Sequence, residues 1–252
     1  MTMELNCFFH EHPKAALAFS GGVDSAYLLY AGVKCGAQIR PYYVKTPFQP
    51  RFEYEDARRL CRELGVELTT LELDVLEDER ISANAPDRCY FCKRKIFSAI
   101  LEAAYADGFP VLLDGTNASD QVSDRPGMRA LRELSVLSPL RLCGLTKEEI
   151  RRRSKEAGLF THNKPAYACL ATRISTGRAI TAKDLERTED CEAFLMDMGF
   201  SGFRIRLLGD FARLQLPETQ LSGLLEQRER VLEELKKHYS GVLLDLEVRD
   251  EQ

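Results

Sequence analysis

The stretch with the clearest chemistry is residues 20–25, which read SGGVDS. It follows an apolar run at residues 15–19 and precedes an amphipathic segment at residues 26–36, so a buried strand is predicted to turn into a helix. Two adjacent glycines let backbone N–H groups approach a ligand, and the helix offers unpaired N–H groups and the positive end of its dipole. This combination predicts a phosphate site. The alternative is an ordinary Gly-Gly turn with Ser25 as a helix cap.

A second chemical feature is the C-x-x-C motif of Cys89 and Cys92, ahead of a helix predicted to begin near residue 93. This spacing lets both sulfur atoms face one metal ion, and nearby cations favour thiolates. The motif alone fits a redox pair, half of a zinc site or two structural thiols. Cys169 lies in the loop NKPAYACLATR, residues 163–173, whose specific composition is typical of functional loops. Three thiolates would leave one iron of a four-iron cluster open to an exogenous sulfide.

A third feature is a set of basic residues near the C-terminus. Arg204 and Arg206 stand two residues apart on a predicted strand and therefore point to one face, and Arg213 lies on the next predicted strand. Convergent guanidinium groups suit bidentate binding of a phosphate or carboxylate. Spacing alone equally permits a solvated sheet face paired with Asp210 or Glu218.

The elements that must position these residues alternate over the first two thirds of the chain. Predicted strands are the apolar runs at residues 15–19, 39–44, 66–73 and 111–114, and predicted helices are residues 26–36, 53–65 and 93–107. This alternation predicts an α/β fold with a parallel, doubly wound sheet. Ligands of such sheets bind at the carboxyl ends of the strands, where both SGGVDS and the DGTN sequence of residues 114–117 fall. Asp-Gly is also a common turn.

The last third of the chain predicts a small α+β domain. Its pattern is helix, strand, strand, helix and strand, at residues 181–198, 203–207, 212–216, 218–238 and 242–246. We therefore expect two domains, residues 1–174 and residues 175–252. Between the two patterns, the TKEE sequence of residues 146–149 is a capping box that opens a helix ending near residue 158, and we interpret it as structural only.

Composition narrows the class of protein. The chain has 252 residues, 44% of them hydrophobic, and a net charge of −4, which gives no sign of a nucleic-acid partner. No apolar stretch approaches the roughly 18 residues that span a bilayer, and no signal-peptide pattern is present, so we expect a cytoplasmic protein without a membrane partner. The eight cysteines are then expected to be reduced. We interpret the remaining cysteines as small core or surface residues; these are Cys7, Cys35, Cys61, Cys143 and Cys191.

Several of these segments together resemble a known family. Residues 20–25 resemble the PP-loop of the ATP pyrophosphatase superfamily, whose members adenylate a substrate oxygen and release pyrophosphate. Over nearly the whole chain, the sequence is similar to the ATP-dependent sulfur transferases of the LarE family. The segments that carry this similarity are the PP-loop, PDRCYFCK at residues 86–93, DGTN, DRPG at residues 124–127, NKPAYACLATR, and the run GFxxxRxRxxxDxARxxLP from residue 199.

The resemblance implies an enzyme that uses ATP and Mg²⁺ to sulfurate the carboxylates of a pyridinium dicarboxylate mononucleotide, in the synthesis of a nickel-pincer cofactor. It implies a homo-oligomer as well. By this resemblance, the leaving pyrophosphate is bound by Ser20, Gly21, Gly22 and Ser25. Asp24 is a catalytic residue that holds the metal ion or orients the phosphates. The rest of the nucleotide is bound by Gly115, Asn117 and Arg125. The substrate phosphate is assigned to Arg204, Arg206 and Arg213, with Arg173 and Glu192 nearby.

The resemblance offers two sulfur sources. Some family members sacrifice one cysteine, which becomes dehydroalanine, and others hold a 4Fe-4S cluster on three cysteines. The presence of Cys89, Cys92 and Cys169 implies the cluster type, and Cys169 as a sacrificial donor is the alternative. Thiolation of tRNA, another PP-loop ligation such as ammonia-dependent NAD synthesis, and a sensor that binds ATP without turnover also stay open. The substrate is implied by the resemblance and not by the physics of the residues.

Overall fold

The computed structural model describes residues 4–120 and 126–249, which form two compact units. The larger unit comprises the described part of Met1–Val75 and of Asp87–Lys164, and the smaller unit comprises Leu76–Pro86 and the described part of Pro165–Gln252. The smaller unit is therefore built from two separate pieces of chain. The domain boundary expected between residues 174 and 175 stays a prediction.

Helices and strands alternate through the larger unit as the sequence predicts. In chain order the helices are α1 (Leu5–Glu11), α2 (Val23–Lys34), α3 (Arg51–Leu64), α4 (Glu79–Ser82), α5 (Arg88–Ala106), α6 (Pro126–Glu133), α7 (Pro139–Leu142), α8 (Lys147–Glu156), α9 (Ala182–Asp197), α10 (Leu221–Glu226) and α11 (Arg228–Leu235). The strands are β1 (Lys14–Ala18), β2 (Gln38–Lys45), β3 (Thr69–Glu72), β4 (Leu112–Leu113), β5 (Arg204–Leu208), β6 (Phe211–Gln215) and β7 (Gly241–Leu244). Short 3-10 helices cover Phe160–Asn163, Leu170–Arg173 and Glu218–Gln220.

The sheet of the larger unit has the strand order β3-β2-β1-β4, and every pair is parallel. Successive side chains of a strand point to opposite faces, and here both faces are buried. On β1, Leu17 packs into one apolar cluster with Leu28 and Tyr43, whereas Ala16 packs into a second cluster with Tyr42 and Ile100. Helices cover both faces, so the predicted parallel α/β sheet is confirmed.

The sheet of the smaller unit has the order β5-β6-β7, with an antiparallel β5–β6 hairpin and a parallel β6–β7 pair. The helix expected over residues 218–238 is interrupted, because Gln227 takes a non-helical conformation (φ −100°, ψ 12°) between α10 and α11.

The segment Leu76–Pro86 is fixed within the smaller unit by Asn84, whose φ of 57° lies in the left-handed region that Asn tolerates. Its side-chain amide donates hydrogen bonds to the carbonyls of Ile174, Ser175 and Arg178 at 2.9–3.3 Å. The backbone also bonds to this segment, because Gly177 N–H donates to the Asn84 carbonyl at 2.9 Å. Within residues 4–120 and 126–249, no helix combines the length and apolar character needed to cross a membrane.

Candidate nucleotide and sulfur-transfer site

The predicted phosphate loop joins β1 to α2 in the larger unit. Gly21 has a φ of 70°, which favours glycine, and a Cβ at this position would lie 3.0 Å from the carbonyl oxygen of Glu53 on α3. Gly22 is the N-cap of α2 and provides no side-chain cap, so the first N–H groups of the helix are left for a ligand. The hydroxyl oxygens of Ser20 and Ser25 lie 3.2 Å apart. This arrangement of donors suits a phosphate group.

Asp24 lies in the first turn of α2 and carries the acidic group of the loop. Its Oδ2 accepts a hydrogen bond from Lys147 Nζ at 2.6 Å, and its Oδ1 is buried without a hydrogen-bond partner among the described residues. Burial raises the pKa of Asp24 and outweighs the opposing effect of Lys147, so the pKa lies above its usual value. A carboxylate oxygen that is buried and lacks a donor suits a hard cation such as Mg²⁺.

The DGTN loop follows β4 and touches the phosphate loop. A Cβ at Gly115 would lie 3.0 Å from the backbone nitrogen of Ser25, so a larger residue would push the two loops apart by a few tenths of an ångström. Asp114 fixes the loop by accepting hydrogen bonds from Thr116 and from Ser138 Oγ.

The side chain of Asn117 is buried and shapes its own turn, since its Oδ1 accepts from the Ser119 N–H at 2.8 Å. The structure thus brings Gly115 to the phosphate loop and leaves Asn117 in a supporting place. Arg125, assigned to the nucleotide from the sequence, lies outside the described residues.

Two lysines at the phosphate loop were not identified from the sequence. Lys147, the first residue of α8, forms the ion pair with Asp24. Lys164 donates to the carbonyl oxygen of Gly21 at 3.3 Å and pairs with Asp56 at 2.7 Å. Thr146 caps α8 by accepting from the Glu149 N–H, while the Glu149 carboxylate accepts from Arg152 and Arg153, and this cap does not explain Lys147. One signal in the sequence could have identified Lys147: it stands at the start of a predicted helix, where the helix dipole disfavours a cation unless the cation has a partner.

These features together fit magnesium-bound ATP. The loop offers N–H groups and hydroxyls, Asp24 Oδ1 is available for a metal ion, and two glycines clear space next to backbone atoms.

All eight cysteines of the chain are free thiols. Cys89 and Cys92 lie in the first turns of α5, which begins at Arg88 and not near residue 93, so they are one helical turn apart on one face. Cys89 is exposed and Cys92 half-buried, and Arg88 Nη2 lies 3.5 Å from the Cys89 sulfur. Cys169 belongs to the smaller unit.

Among residues 4–120 and 126–249 the structure has no group of three or more His, Cys, Asp or Glu side chains placed to hold a metal ion. The three thiols are nonetheless donors of the type that bind iron. The iron–sulfur cluster therefore stays a prediction.

The loop that carries Cys169 is held by a buried ion pair in the smaller unit. Arg173 and Glu192, each 1% exposed, form two hydrogen bonds of 2.9 Å with each other. Arg173 also donates to the carbonyl of Ala168 at 2.7 Å, and Glu192 accepts from the N–H of Ile205 on β5 at 2.9 Å. Although burial opposes the charge of Arg173, the bond to Glu192 keeps its pKa above the usual value. Both residues were assigned to the substrate, and the structure places them beneath the surface, bonded to each other.

The arginines of β5 and β6 lie on one face of the hairpin, as the period of two predicts. Arg206 stands directly opposite Arg213, which approaches Asp245 at 3.5 Å. Burial, followed by the positive charges of Arg249, Arg173 and Arg206, lowers the pKa of Arg204 to about 10. Burial and neighbouring arginines lower the pKa of Arg206 as well.

Neither Arg204 nor Arg206 forms an ion pair with a described carboxylate, and Asp210, an expected alternative partner, instead pairs with Arg187 at 2.8 Å. Half-buried positive charges without counterions make an attractive place for an anion.

The fold and the phosphate loop define a PP-loop type of nucleotide-binding α/β protein. No protein-family model matches the chain. An uncharacterized protein of Synechocystis sp. is 32% identical over 225 residues, which cover 88% of this chain and 83% of that protein. The pyridinium-3,5-bisthiocarboxylic acid mononucleotide synthase of Lactiplantibacillus plantarum is 29% identical over 236 residues, which cover 92% and 86%. The tRNA-specific 2-thiouridylase MnmA of Thermotoga sp. is 26% identical over 193 residues, which cover 60% and 54%.

The chain belongs to the LarE family of PP-loop sulfur transferases. The family predicted from the sequence is therefore confirmed. The similarity to MnmA covers a smaller part of the chain and is consistent with the shared nucleotide-binding fold.

Proposed function

We propose that this protein adenylates a carboxylate of a pyridinium dicarboxylate mononucleotide with ATP and then replaces the adenylate by sulfur. The observation that carries the proposal is the phosphate loop with the buried, unpartnered Oδ1 of Asp24 at the start of α2. The substrate class is supported by the synthase of L. plantarum, whose name describes the thiocarboxylated mononucleotide that it makes.

In the first step, the substrate carboxylate attacks the α-phosphorus of ATP, and pyrophosphate leaves. The N–H groups of α2 and the hydroxyls of Ser20 and Ser25 would stabilise the negative charge that develops on the pyrophosphate. Asp24 would hold Mg²⁺, which neutralises phosphate charge. Gly115 lets the neighbouring loop lie directly against Ser25, beside the place of the phosphates.

In the second step, a sulfur nucleophile attacks the acyl carbon and AMP leaves, which gives a thiocarboxylate. Adenylation is needed because carboxylate oxygen is a poor leaving group and AMP is a good one. Arg204, Arg206 and Arg213 would hold the phosphate of the mononucleotide, which relieves the repulsion between their own charges. Anchoring a remote phosphate holds the reacting carboxylate in place.

We propose that the sulfur comes from a 4Fe-4S cluster and that Cys89, Cys92 and Cys169 are the ligands of this cluster. The cluster, when bound, would supply the sulfide that displaces AMP. The bond from Arg173 to the Ala168 carbonyl fixes the backbone beside Cys169. Cys169 as a sacrificial donor uses the same loop and is the alternative.

Pyrophosphate release tests the adenylation step. With MgATP and the dicarboxylate mononucleotide, we expect release well above the rate with ATP alone, and no stimulation by unmodified tRNA. Release that depends on tRNA would favour thiolation of tRNA. No release above background with either substrate would favour a sensor that binds ATP without turnover.

Anaerobic iron and sulfide quantitation tests the sulfur source. Each of the substitutions Cys89→Ala, Cys92→Ala and Cys169→Ala should abolish cluster binding, whereas Cys61→Ala, a buried thiol of α3, should leave it unchanged. Wild-type protein without iron that still completes one turnover, with conversion of Cys169 to dehydroalanine detected by mass, would support the sacrificial alternative.

A further inference from the structure

We propose that Lys147 is an exchangeable cation of the phosphate site. It neutralises Asp24 while the nucleotide is absent, and it moves onto the triphosphate when Mg²⁺ takes its place on Asp24. This inference rests on the proposed function, because it requires the loop to bind MgATP. It makes Lys147 a residue that binds the nucleotide and not a part of a helix cap.

The backbone of Lys147 is fixed and its side chain is the part that can move. The Lys147 N–H donates to Ser119 Oγ at 3.0 Å, and the Ala118 N–H donates to the Leu145 carbonyl at 2.8 Å. The start of α8 is therefore tied to the segment that follows the DGTN loop. A lysine side chain is a flexible four-carbon stem that ends in a compact charge. With its backbone held, the ammonium group can reach a second acceptor near Asp24 without a change of fold.

The position of Lys147 in its helix is unfavourable without such a partner. The first turn of a helix favours acidic side chains, and Glu148 and Glu149 of α8 follow this preference. Glu149 is engaged by Arg152 and Arg153 and does not neutralise Lys147. Among the described residues, the ion-pair partner of Lys147 is Asp24. The lysine is therefore explained by the phosphate loop.

Other basic groups at this loop have partners other than the proposed metal ligand. Lys164 pairs with Asp56 and donates to the Gly21 carbonyl, and its side chain is 13% exposed. Arg151 donates to the carbonyls of His162 and Lys164. By contrast, the side chain of Lys147 is 33% exposed, and its acceptor is the proposed metal ligand. Lys147 is thus the cation that the arrival of a metal ion displaces.

Competition for Asp24 gives the proposal a distinctive signature. A divalent cation on the buried Oδ1 would lie close to the ammonium group on Oδ2, and the two positive charges repel. Loss of the lysine should therefore help a metal ion to bind alone, because Asp24 becomes free. The same loss should weaken ATP, because the triphosphate loses a counter-charge. A residue that only supports the fold would not change the two affinities in opposite directions.

The experiment compares wild type with Lys147→Met, which keeps the apolar stem, and with Lys147→Arg, which keeps the charge. The matched control is Lys155→Ala, an exposed lysine in the last turn of the same helix. Binding of Mn²⁺ without nucleotide is measured by electron paramagnetic resonance, and binding of ATP at saturating Mg²⁺ by calorimetry. For Lys147→Met we expect tighter Mn²⁺ binding and ATP binding weakened by about tenfold, the effect of one lost charge contact.

Lys147→Arg should bind ATP like wild type, and Lys155→Ala should match wild type in both measurements. Equal ATP affinity of wild type and Lys147→Met would overturn the proposal. Weaker binding of both Mn²⁺ and ATP by Lys147→Met would overturn it as well. Circular dichroism of each variant shows whether it is folded. If Lys147→Met is unfolded, the same measurements are made on Lys147→Gln. Wild-type protein that binds no ATP, even with Mg²⁺, would refute the proposed function itself along with the role of Lys147.

Discussion

Two ion pairs, one in each unit, are built in opposite ways. Asp24 and Lys147 share one contact of 2.6 Å, are 22% and 33% exposed, and leave a carboxylate oxygen without a donor. Arg173 and Glu192 share two contacts, are each 1% exposed, and form further hydrogen bonds to backbone atoms and to the Tyr167 and Thr172 hydroxyls. The first pair has the features of a contact that ligands exchange, and the second those of a contact that fixes geometry. Burial and completeness of bonding, more than distance, distinguish the two.

The largest effect is expected from breaking the buried pair. Arg173→Met leaves the carboxylate of Glu192 without its main partner, and loss of one member of a buried pair costs about 3–5 kcal/mol of unfolding free energy. Urea unfolding followed by circular dichroism measures this loss. Replacing both residues in Arg173→Met/Glu192→Met should recover part of it, and Arg228→Ala, from an exposed pair of α11 in the same unit, should change stability little. A fully stable single variant would show that the pair does not fix the loop.

The exchangeable pair should show the reverse profile, with a large effect on catalysis and a small one on stability. Asp24→Asn removes the proposed metal ligand, so we expect adenylation to slow by about 10²–10³-fold, as for loss of one main electrostatic group. Stability should change little, because a carboxylate that is costly to bury is removed together with its partner contact. Pyrophosphate release and thermal unfolding on the same samples check both. A variant that loses much stability but adenylates at the wild-type rate would reverse the comparison.

The approach of the DGTN loop to the phosphate loop predicts an intermediate effect. Gly115→Ala places a methyl group 3.0 Å from the backbone nitrogen of Ser25, and such overpacking costs about 1–3 kcal/mol. ATP affinity measured by calorimetry should fall with it. The control is Gly223→Ala in α10, where a Cβ meets its first neighbour at 4.0 Å, so stability should hold or rise. Unchanged ATP affinity in Gly115→Ala would show that the two loops separate when the nucleotide binds.

The smallest effect on stability, and one of opposite sign, is expected on the hairpin of the smaller unit. Arg206→Gln removes one of two like charges that face each other across β5 and β6, which should stabilise the protein by about 0.2–1 kcal/mol. The same change should raise the KM for the mononucleotide, because a phosphate contact is lost. Thermal unfolding and steady-state kinetics measure the two effects. A destabilised variant with an unchanged KM would remove this arginine from the substrate site.

Local patterns of the sequence predict much of this site. Two glycines, an acid and hydroxyls in the order SGGVDS predict the phosphate loop, and the period of two places Arg204 and Arg206 on one face. The ion pairs could not be predicted in this way. Asp24 and Lys147 are 123 residues apart, and the sequence around Lys147 is already explained by a capping-box motif. The partnership of Arg173 with Glu192 depends on how the Cys169 loop packs on α9, which no local pattern encodes.

The start of one helix and the break in another also differ from the sequence-based expectation. Helix α5 begins at Arg88 and therefore includes both cysteines of the motif, and its N-cap residue Asp87 forms no side-chain capping bond that the sequence could have signalled. The single helix expected over residues 218–238 divides at Gln227, where neither Gly nor Pro marks the interruption. Propensity alone favours a continuous helix here, and packing within the unit decides otherwise.

The anchoring of Asn84 has a practical consequence for dissecting the protein. A fragment that begins after Lys164 would contain every strand of the small sheet but would lack the eleven-residue insert that caps the carbonyls of Ile174, Ser175 and Arg178. Those carbonyls and the N–H of Gly177 would then be left to solvent. Co-expressing the fragment with a peptide spanning residues 76–86 is therefore the more promising route to the isolated smaller unit.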